Sequence, residues 1–304
     1  MIKVGVIRGG IDNSYSDSIS SGSHLISSLF GDKLNSDYRP VDIFIDRDGI
    51  WNISGVPVTF DMIKEKVDIV FNSLHGGFGS DGKIQKILED NNIPYTGSNS
   101  NICSFISDRS VVKEELSKIG INTPAHILYE AYLEDLDGPI NSYIINKSRD
   151  VISRMPPPWI VKPLTTSSSM GTFVCKTYND LIRAFGFGVK EKVSILVEEL
   201  IDGKSASIGV INNFRNKDIY PLLCSGNFTS DEKREVERLA EIVHSSLNMR
   251  HYSQINFIVN PKKGVYFIDV NALPLLHDKS LFSEHLKDIG SSIPDFINHI
   301  IKLV

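Results

Sequence analysis

Cysteine is scarce in this chain: Cys103, Cys175 and Cys224 are the only three, far apart and without a CxxC spacing. That excludes a disulfide framework and a thiolate zinc site, and it fits a reducing compartment. No apolar run reaches the ~18 residues of a membrane-spanning helix. The opening Met-Ile-Lys-Val-Gly-Val-Ile has neither the length nor the cleavage region of a signal peptide. A cytoplasmic protein, neither secreted nor membrane-embedded, is expected. Charge of one sign is not gathered into a block either: 32 Lys and Arg against 37 Asp and Glu give a net charge of −5. There is thus no electrostatic footprint for nucleic acid or an anionic membrane, and small molecules are the expected partners. Internal repeats and low-complexity tracts are absent, which excludes a solenoid. With 41% hydrophobic and 23% charged residues over 304 positions, the chain has enough apolar surface for packed cores in two or three domains.

Short β-branched runs alternate with helical patterns near the start. Ile2 to Ile7 is followed by Gly9-Gly10 and a helical stretch from Ile19 to Leu29. Val41 to Ile45 and Val67 to Phe71 repeat the alternation, with Ile84, Ile87 and Leu88 on one helical face. This predicts a parallel α/β domain over 1–107. Asp108 opens an amphipathic helix ending at Gly120. Isolated strands at Ala125 to Tyr129, Trp159 to Val161, Thr172 to Cys175 and Ile195 to Ile201, with a helix at Leu181 to Phe185, then indicate a small α+β central domain, 108–200. Strands near Ser207 to Ile211, Ile219 to Leu223, Gln254 to Val259 and Gly264 to Val270, with helices at Asp231 to Leu247 and Ile293 to Val304, make up a C-terminal domain, 201–304.

Five segments offer chemistry. The Gly9-Gly10 turn ends the first strand, where backbone amides can hold an anion or simply turn the chain. His75-Gly76-Gly77-Phe78-Gly79-Ser80-Asp81-Gly82 again lies between strand and helix; its glycines permit close backbone approach to a substrate, while Ser80 or Asp81 also suits an N-cap. Lys162-Pro163 ends a buried strand before the Ser/Thr/Gly loop that holds Ser168 and Ser169, a pattern that suits polyphosphate or an ordinary surface loop. Glu198, Glu199 and Ile201 lie at a domain junction, where a carboxylate and backbone groups can meet an adenine amino group or only solvent. Finally, Asn256 pairs with Asp269 and Asn271 on neighbouring strands, and the period-two spacing of the last two points their oxygens to one side, as Mg²⁺ would require.

In this order and spacing the five segments resemble the D-Ala-D-Ala ligase branch of the ATP-grasp superfamily over nearly the whole chain. The match is strongest at His75 to Lys113, including Pro94-Tyr95-Thr96-Gly97-Ser98, at Lys162-Pro163, at Val197 to Gly203 and at Phe267 to Pro274. The resemblance implies an ATP-grasp fold, α/β and α+β, with an N-terminal parallel α/β domain, a small central domain and a C-terminal domain. It implies that one amino-acid carboxylate is phosphorylated by ATP and that the amine of a second attacks the acyl phosphate to form a peptide bond for cell-wall peptidoglycan. By the same resemblance Arg109, Lys162, Ser168, Ser169, Glu198, Glu199 and Ile201 would hold ATP, and Asn256, Asp269 and Asn271 would hold Mg²⁺. His75 and Gly76 would border the first substrate, and Ser280 and Leu281 the carboxylate of the second. Ser168 and Gln254 would occupy catalytic positions. A homodimer, or a complex with a partner subunit, is expected by the same analogy.

Several residues depart from the family pattern where charge matters. Serine fills 36 positions in the chain, and three of them, Ser14, Ser80 and Ser205, stand where the family has a glutamate. The glutamate replaced by Ser14 is the one that takes the first substrate's ammonium group. Arg109 replaces a lysine, Gln254 an arginine, Asn256 an aspartate, Asp269 a glutamate and Leu275 a glycine, and the long loop that covers the family's active site is missing between Leu223 and the Asp231 helix. Three readings follow: an ATP-dependent carboxylate–amine ligase, either a divergent D-Ala-D-Ala ligase or one that uses another amino acid or small acid; a ligase-derived protein without catalysis that serves as a binding or structural subunit; and a generic ATP-grasp enzyme whose missing loop comes from a partner chain.

Overall fold

The structure is a computed structural model that describes residues 1–164 and 171–304. The chain groups into two compact units, one of residues 1–106, 205–257 and 269–304, the other of residues 107–204 and 258–268.

In the first unit the apolar run at the start forms β1 (Ile2–Gly9), followed by α1 (Tyr15–Phe30) and β2 (Tyr38–Ile45). Next come β3 (Trp51–Ile53), β4 (Val56–Pro57), α2 (Phe60–Lys66), β5 (Ile69–Asn72), α3 (Gly76–Ser80), α4 (Lys83–Asp90) and α5 (Ser100–Ser107). The sheet order is β4-β3-β2-β1-β5. The expected parallel layer is present, β1 being parallel to β2 and β5, and β3 and β4 extend it with antiparallel strands that the sequence does not announce. Ser54-Gly55 is responsible. Both residues have positive φ, 53° and 76°, between the paired Ile53 and Val56, the two-residue hairpin geometry that matches strand twist. Val4, Val6 and Phe71 on one face and Ile7, Ile43 and Val70 on the other are fully buried, so helices or loops cover both sides of the sheet.

The second unit opens with α6 (Arg109–Lys118), whose N-cap Asp108 accepts from the N–H groups of Ser110 and Val111 at 3.0 and 3.1 Å. There follow β6 (His126–Tyr129), α7 (Glu134–Asp137), α8 (Ile140–Arg154), β7 (Trp159–Pro163), β8 (Phe173–Cys175), α9 (Tyr178–Glu191) and β9 (Ile195–Glu199). These strands form an antiparallel sheet in the order β6-β9-β7-β8, an α+β arrangement as the sequence predicts. The sequence does not announce α8, which is rich in Asn and Ser and has low intrinsic helix propensity. It is fixed by packing on α9, with Val151 buried in a core that includes Trp159, Leu181 and Phe185.

The remaining elements are β10 (Lys204–Phe214), β11 (Lys217–Pro221), α10 (Ser230–Ser246), β12 (Tyr252–Asn260), β13 (Gly264–Asn271), α11 (Leu281–Asp288) and α12 (Ile293–Ile301). The sheet order β11-β10-β12-β13 makes β12 and β13 neighbours, as expected. Aromatic packing dominates the first unit's core: Tyr252, Phe282 and Phe296 meet edge to face at 5.2–6.4 Å, and Phe71 stacks on Tyr252. Only residues 222–229 connect β11 to α10, so the short connection read from the sequence is a feature of the fold.

Candidate functional site

The candidate residues described by the structure gather in two places, one in each unit. In the second unit, β7 and β9 are antiparallel neighbours, with Ile160 opposite Glu198 and Lys162 opposite Leu196. The Lys162 ammonium lies 2.9 Å from Glu198 Oε2, and Lys113 from α6 lies 2.8 Å from Glu198 Oε1. All three side chains are removed from solvent, at 7%, 3% and 0% exposure for Lys162, Glu198 and Lys113. Lys113 Nζ also donates to the Ile268 carbonyl at 2.6 Å. Burial by itself would push the Glu198 carboxyl up, but the two ammonium groups outweigh it and hold the group below its ordinary range. Glu198 thus meets two ammonium groups in a low-dielectric setting, where each attraction is stronger than in water. Arg109 extends this basic surface, its Nη1 donating to the Pro163 carbonyl at 3.3 Å.

The junction after β9 is largely satisfied. Glu199 N–H donates to Ala125 O at 2.9 Å, Leu200 N–H donates to Pro158 O at 3.1 Å, and the Glu199 carboxylate accepts from Ala125 N–H at 3.3 Å. Ile201, 8% exposed, has no partner for its N–H among the described residues. An orphan N–H there is a donor available to a ligand. An open groove of about 800 Å³, lined by Lys113, Asn122, Ala125, His126, Glu199 and Tyr266 among others, borders this junction.

In the first unit, His75 N-caps α3 and is buried. Its Nδ1 is 3.0 Å from Leu273 O and its Nε2 is 2.8 Å from Ser21 Oγ. A carbonyl only accepts, so Nδ1 carries the proton and Nε2 accepts from the serine. Burial lowers the imidazole pKa to about 4, so the ring is neutral at physiological pH. Both ring nitrogens are thus occupied in tying α3 to α1 and to the segment after β13. The adjacent Gly76 has φ +82°, and a Cβ there would lie 2.2 Å from Asp12 Oδ2 and 2.7 Å from Ser14 Oγ. Nearby on the third sheet, Asn256 Nδ2 donates to Asp269 Oδ1 at 2.5 Å, Asn271 Oδ1 accepts from Leu273 N–H at 2.9 Å, and Gln254 Nε2 donates to Ser207 Oγ at 2.9 Å.

Comparison with known proteins places this geometry. The model described as D-ala D-ala ligase N-terminus matches residues 53–98, and the one described as D-ala D-ala ligase C-terminus matches 140–223 and 217–302, more than half of the chain. The chain belongs to the D-Ala-D-Ala ligase family. Curated relatives include a D-alanine–D-alanine ligase of Clostridium botulinum (strain Alaska E43 / Type E3), 29% identical over 99% of this chain and 97% of that protein. Another is that of Geotalea uraniireducens (strain Rf4), 25% identical over 98% and 94%. Similar solved structures include the VanG D-Ala:D-Ser ligase from Enterococcus faecalis, with TM-score 0.84 at 20% identity over 99% of both chains. The D-alanine–D-alanine ligase from Bacillus anthracis complexed with ATP gives 0.78 at 22% identity, over 99% of this chain and 96% of that one. The fold is therefore ATP-grasp.

Set against that family, the structure brings Arg109, Lys162, Glu198, Glu199 and Ile201 together in the second unit, and Asn256 with Asp269 in the first. Glu198 turns its carboxylate to two lysines. Ser280 is buried as the N-cap of α11, its hydroxyl bonded to Ser283, while Leu281 is 52% exposed. Ser80 Oγ donates to the Gly76 carbonyl at 2.6 Å, and Ser205 is exposed at the start of β10. Ser168 and Ser169 lie outside the described residues. Sequence reasoning missed Lys113 as a site residue. The signal was present: Lys113 and Leu116 fall on one face of α6, so a lysine sits on the helix's apolar stripe. Asp12 and Ser21 left no comparable periodic signal.

Proposed function

We propose that this chain is an ATP-dependent carboxylate–amine ligase that joins two amino acids, D-alanine first among the candidates, by a peptide bond for peptidoglycan. The observation that carries this is the buried Lys162 ammonium at the end of β7, held on Glu198, with Arg109 beside it at the Pro163 carbonyl. An ATP phosphate group fits there because a lysine and an arginine at one strand end offer the charge and the N–H donors that polyphosphate takes. Lys162 and Arg109 would neutralise the phosphates together with Ser168 and Ser169, and the Ile201 N–H would meet the adenine ring. Gln254 would align the transferring phosphoryl group by hydrogen bonding. Asp269 with the amides of Asn256 and Asn271 offers one carboxylate and two amide oxygens, a donor set suited to Mg²⁺ held chiefly by phosphate oxygens. Mg²⁺ there would offset charge on the phosphates.

In the proposed reaction a carboxylate oxygen of the first amino acid bonds to the γ-phosphorus and ADP leaves. The amine of the second then bonds to the acyl carbon, loses a proton and expels phosphate. The chain's part is positioning and charge neutralisation. His75 and Gly76 would border the first amino acid, and the α11 N-terminus at Ser280-Leu281 the carboxylate of the second. The division into parts at 1–107, 108–200 and 201–304, and assembly as a homodimer or with a partner subunit, belong to the same proposal; light scattering of the purified chain tests the last.

The deciding experiment incubates the protein with ATP, Mg²⁺ and an amino-acid panel that includes D-alanine, and follows ADP release. Substrate-dependent release that Lys162→Ala abolishes is the expected result. ATP binding without turnover would point to the non-catalytic binding role, and absence of both at millimolar ATP would refute the proposal.

A further inference from the structure

The turn after β1 holds a carboxylate that the site described so far does not use. Asp12 Oδ1 accepts from the Ser14 N–H at 2.9 Å, and Oδ2 accepts from the Phe78 N–H at 3.1 Å in the first turn of α3. Two backbone donors favour the ionised form and fix its orientation. Oδ2 stands over the bare α-carbon of Gly76, 2.2 Å from where a Cβ would be, with Ser14 Oγ beside it. Among the described residues no cationic side chain pairs with this carboxylate. Arg47, stacked on the Tyr15 ring at 4.2 Å, directs Nη1 to the Asp12 backbone carbonyl at 3.5 Å.

We infer that Asp12 takes the ammonium group of the amino acid that is phosphorylated, and so supplies from position 12 the charge that Ser14 does not supply from position 14. This rests on the ligase reading above. The chemistry around Gly76 selects the ligand class. A carboxylate oxygen and a hydroxyl oxygen converge on a surface with no side chain of its own, and the neighbouring His75 ring is neutral with both nitrogens engaged. Such a surface attracts a group with positive charge and several N–H donors, and it repels a carboxylate. An ammonium group makes three short donations. The lone pairs of Asp12 left over from the Ser14 and Phe78 bonds are enough for one of them, with Ser14 Oγ as a second acceptor. A 2-hydroxy acid of the same shape brings no charge and gains less.

The competing account is that Asp12 only caps α3. The test therefore compares the full-length protein with Asp12→Asn, which keeps the side chain's shape and one accepting oxygen, and with Asp12→Asn/Ser14→Glu, which returns the charge from position 14. Calorimetry gives the affinities for D-alanine and for D-lactate, which lacks the ammonium group, and ADP release with Mg²⁺ and ATP gives both KM values. The expected result is that Asp12→Asn weakens D-alanine about 10- to 100-fold, leaves the KM for ATP within about twofold, and loses the preference for D-alanine over D-lactate. The double variant recovers that preference. The inference is overturned if Asp12→Asn binds D-alanine as the parent does, if D-alanine and ATP weaken together, or if Ser14→Glu restores nothing. Failure of the ligase reading shows separately, as a parent protein that neither binds ATP nor releases ADP. In that case the calorimetric ratio still decides, and a parent that binds D-alanine no better than D-lactate overturns the role given to Asp12.

Discussion

Replacing Glu198 by glutamine removes one charge and almost no volume from the Lys113–Glu198–Lys162 triad. Both lysines stay buried, at 0% and 7% exposure, and neither can reach water without displacing packed structure. Lys113 also donates to the Ile268 carbonyl, a neutral acceptor that does not replace the lost carboxylate charge. Breaking a buried ion pair by neutralising one partner costs about 3–5 kcal/mol, because the remaining charge is left uncompensated. At roughly 2–4 °C per kcal/mol, the melting temperature of Glu198→Gln at pH 7 should fall by roughly 6–20 °C. Acid provides an internal check. The folded Glu198 carboxyl lies below its ordinary value of 4.5, so its contribution is fully present above that pH and is lost as pH falls beneath it. The gap between parent and variant should therefore be widest at neutral pH, begin to narrow below about 4.5 and close once pH has fallen through the lowered value of the folded carboxyl. His75, His244 and His251 are each lowered by burial from 6.5 to about 4. Their stabilising effect fades as pH falls from 6.5 towards 4 in both proteins alike, so it cancels in the difference. Calorimetric melts from pH 3 to pH 8 measure this. A variant that melts within about 1 °C of the parent at pH 7 would refute the argument that the carboxylate compensates two buried cations.

Two further predictions concern the first unit. Gly76→Ala places a methyl 2.2 Å from Asp12 Oδ2 at a backbone φ of +82°, so Asp12 and Ser14 must move. ADP release should drop by about two orders of magnitude, well beyond the ~1–2 kcal/mol stability loss expected of the strained backbone, and activity within twofold of the parent would contradict the geometry. Asn256→Asp exchanges the amide that donates to Asp269 for a second carboxylate. The variant should melt lower than the parent without divalent ions and gain more from Mg²⁺ than the parent does, as seen in a Mg²⁺ titration followed by thermal shift; equal gains would remove Asp269 from the metal site.

Much of the fold is legible in the chain because β-branched runs and helix caps are local signals. The strands from Ile2, Val41 and Val67 and the helix opened by Asp108 all form close to where the pattern puts them. The edge hairpin β3–β4 and helix α8 escape notice for a local reason of the opposite kind: strands of three and two residues carry no periodicity, and the Asn and Ser of α8 favour no helix until α9 packs against it. The site divides in the same way. Lys162 with the loop beyond it, Glu198 and Asp269 stand in recognisable motifs, whereas Lys113 and Asp12 acquire their roles from partners distant in sequence.

By itself, then, the sequence determined the order of elements, the family, and which charges are missing at Ser14, Ser80, Ser205, Gln254 and Asn256. Only the tertiary structure decided where charge is concentrated. It buries Lys113 with Glu198 and against a carbonyl 155 residues away, and it turns Asp12 toward Gly76 through an N–H 66 residues away. Composition counts charges, but the strength of each depends on its dielectric surroundings and its neighbours, and those exist only once the chain has packed.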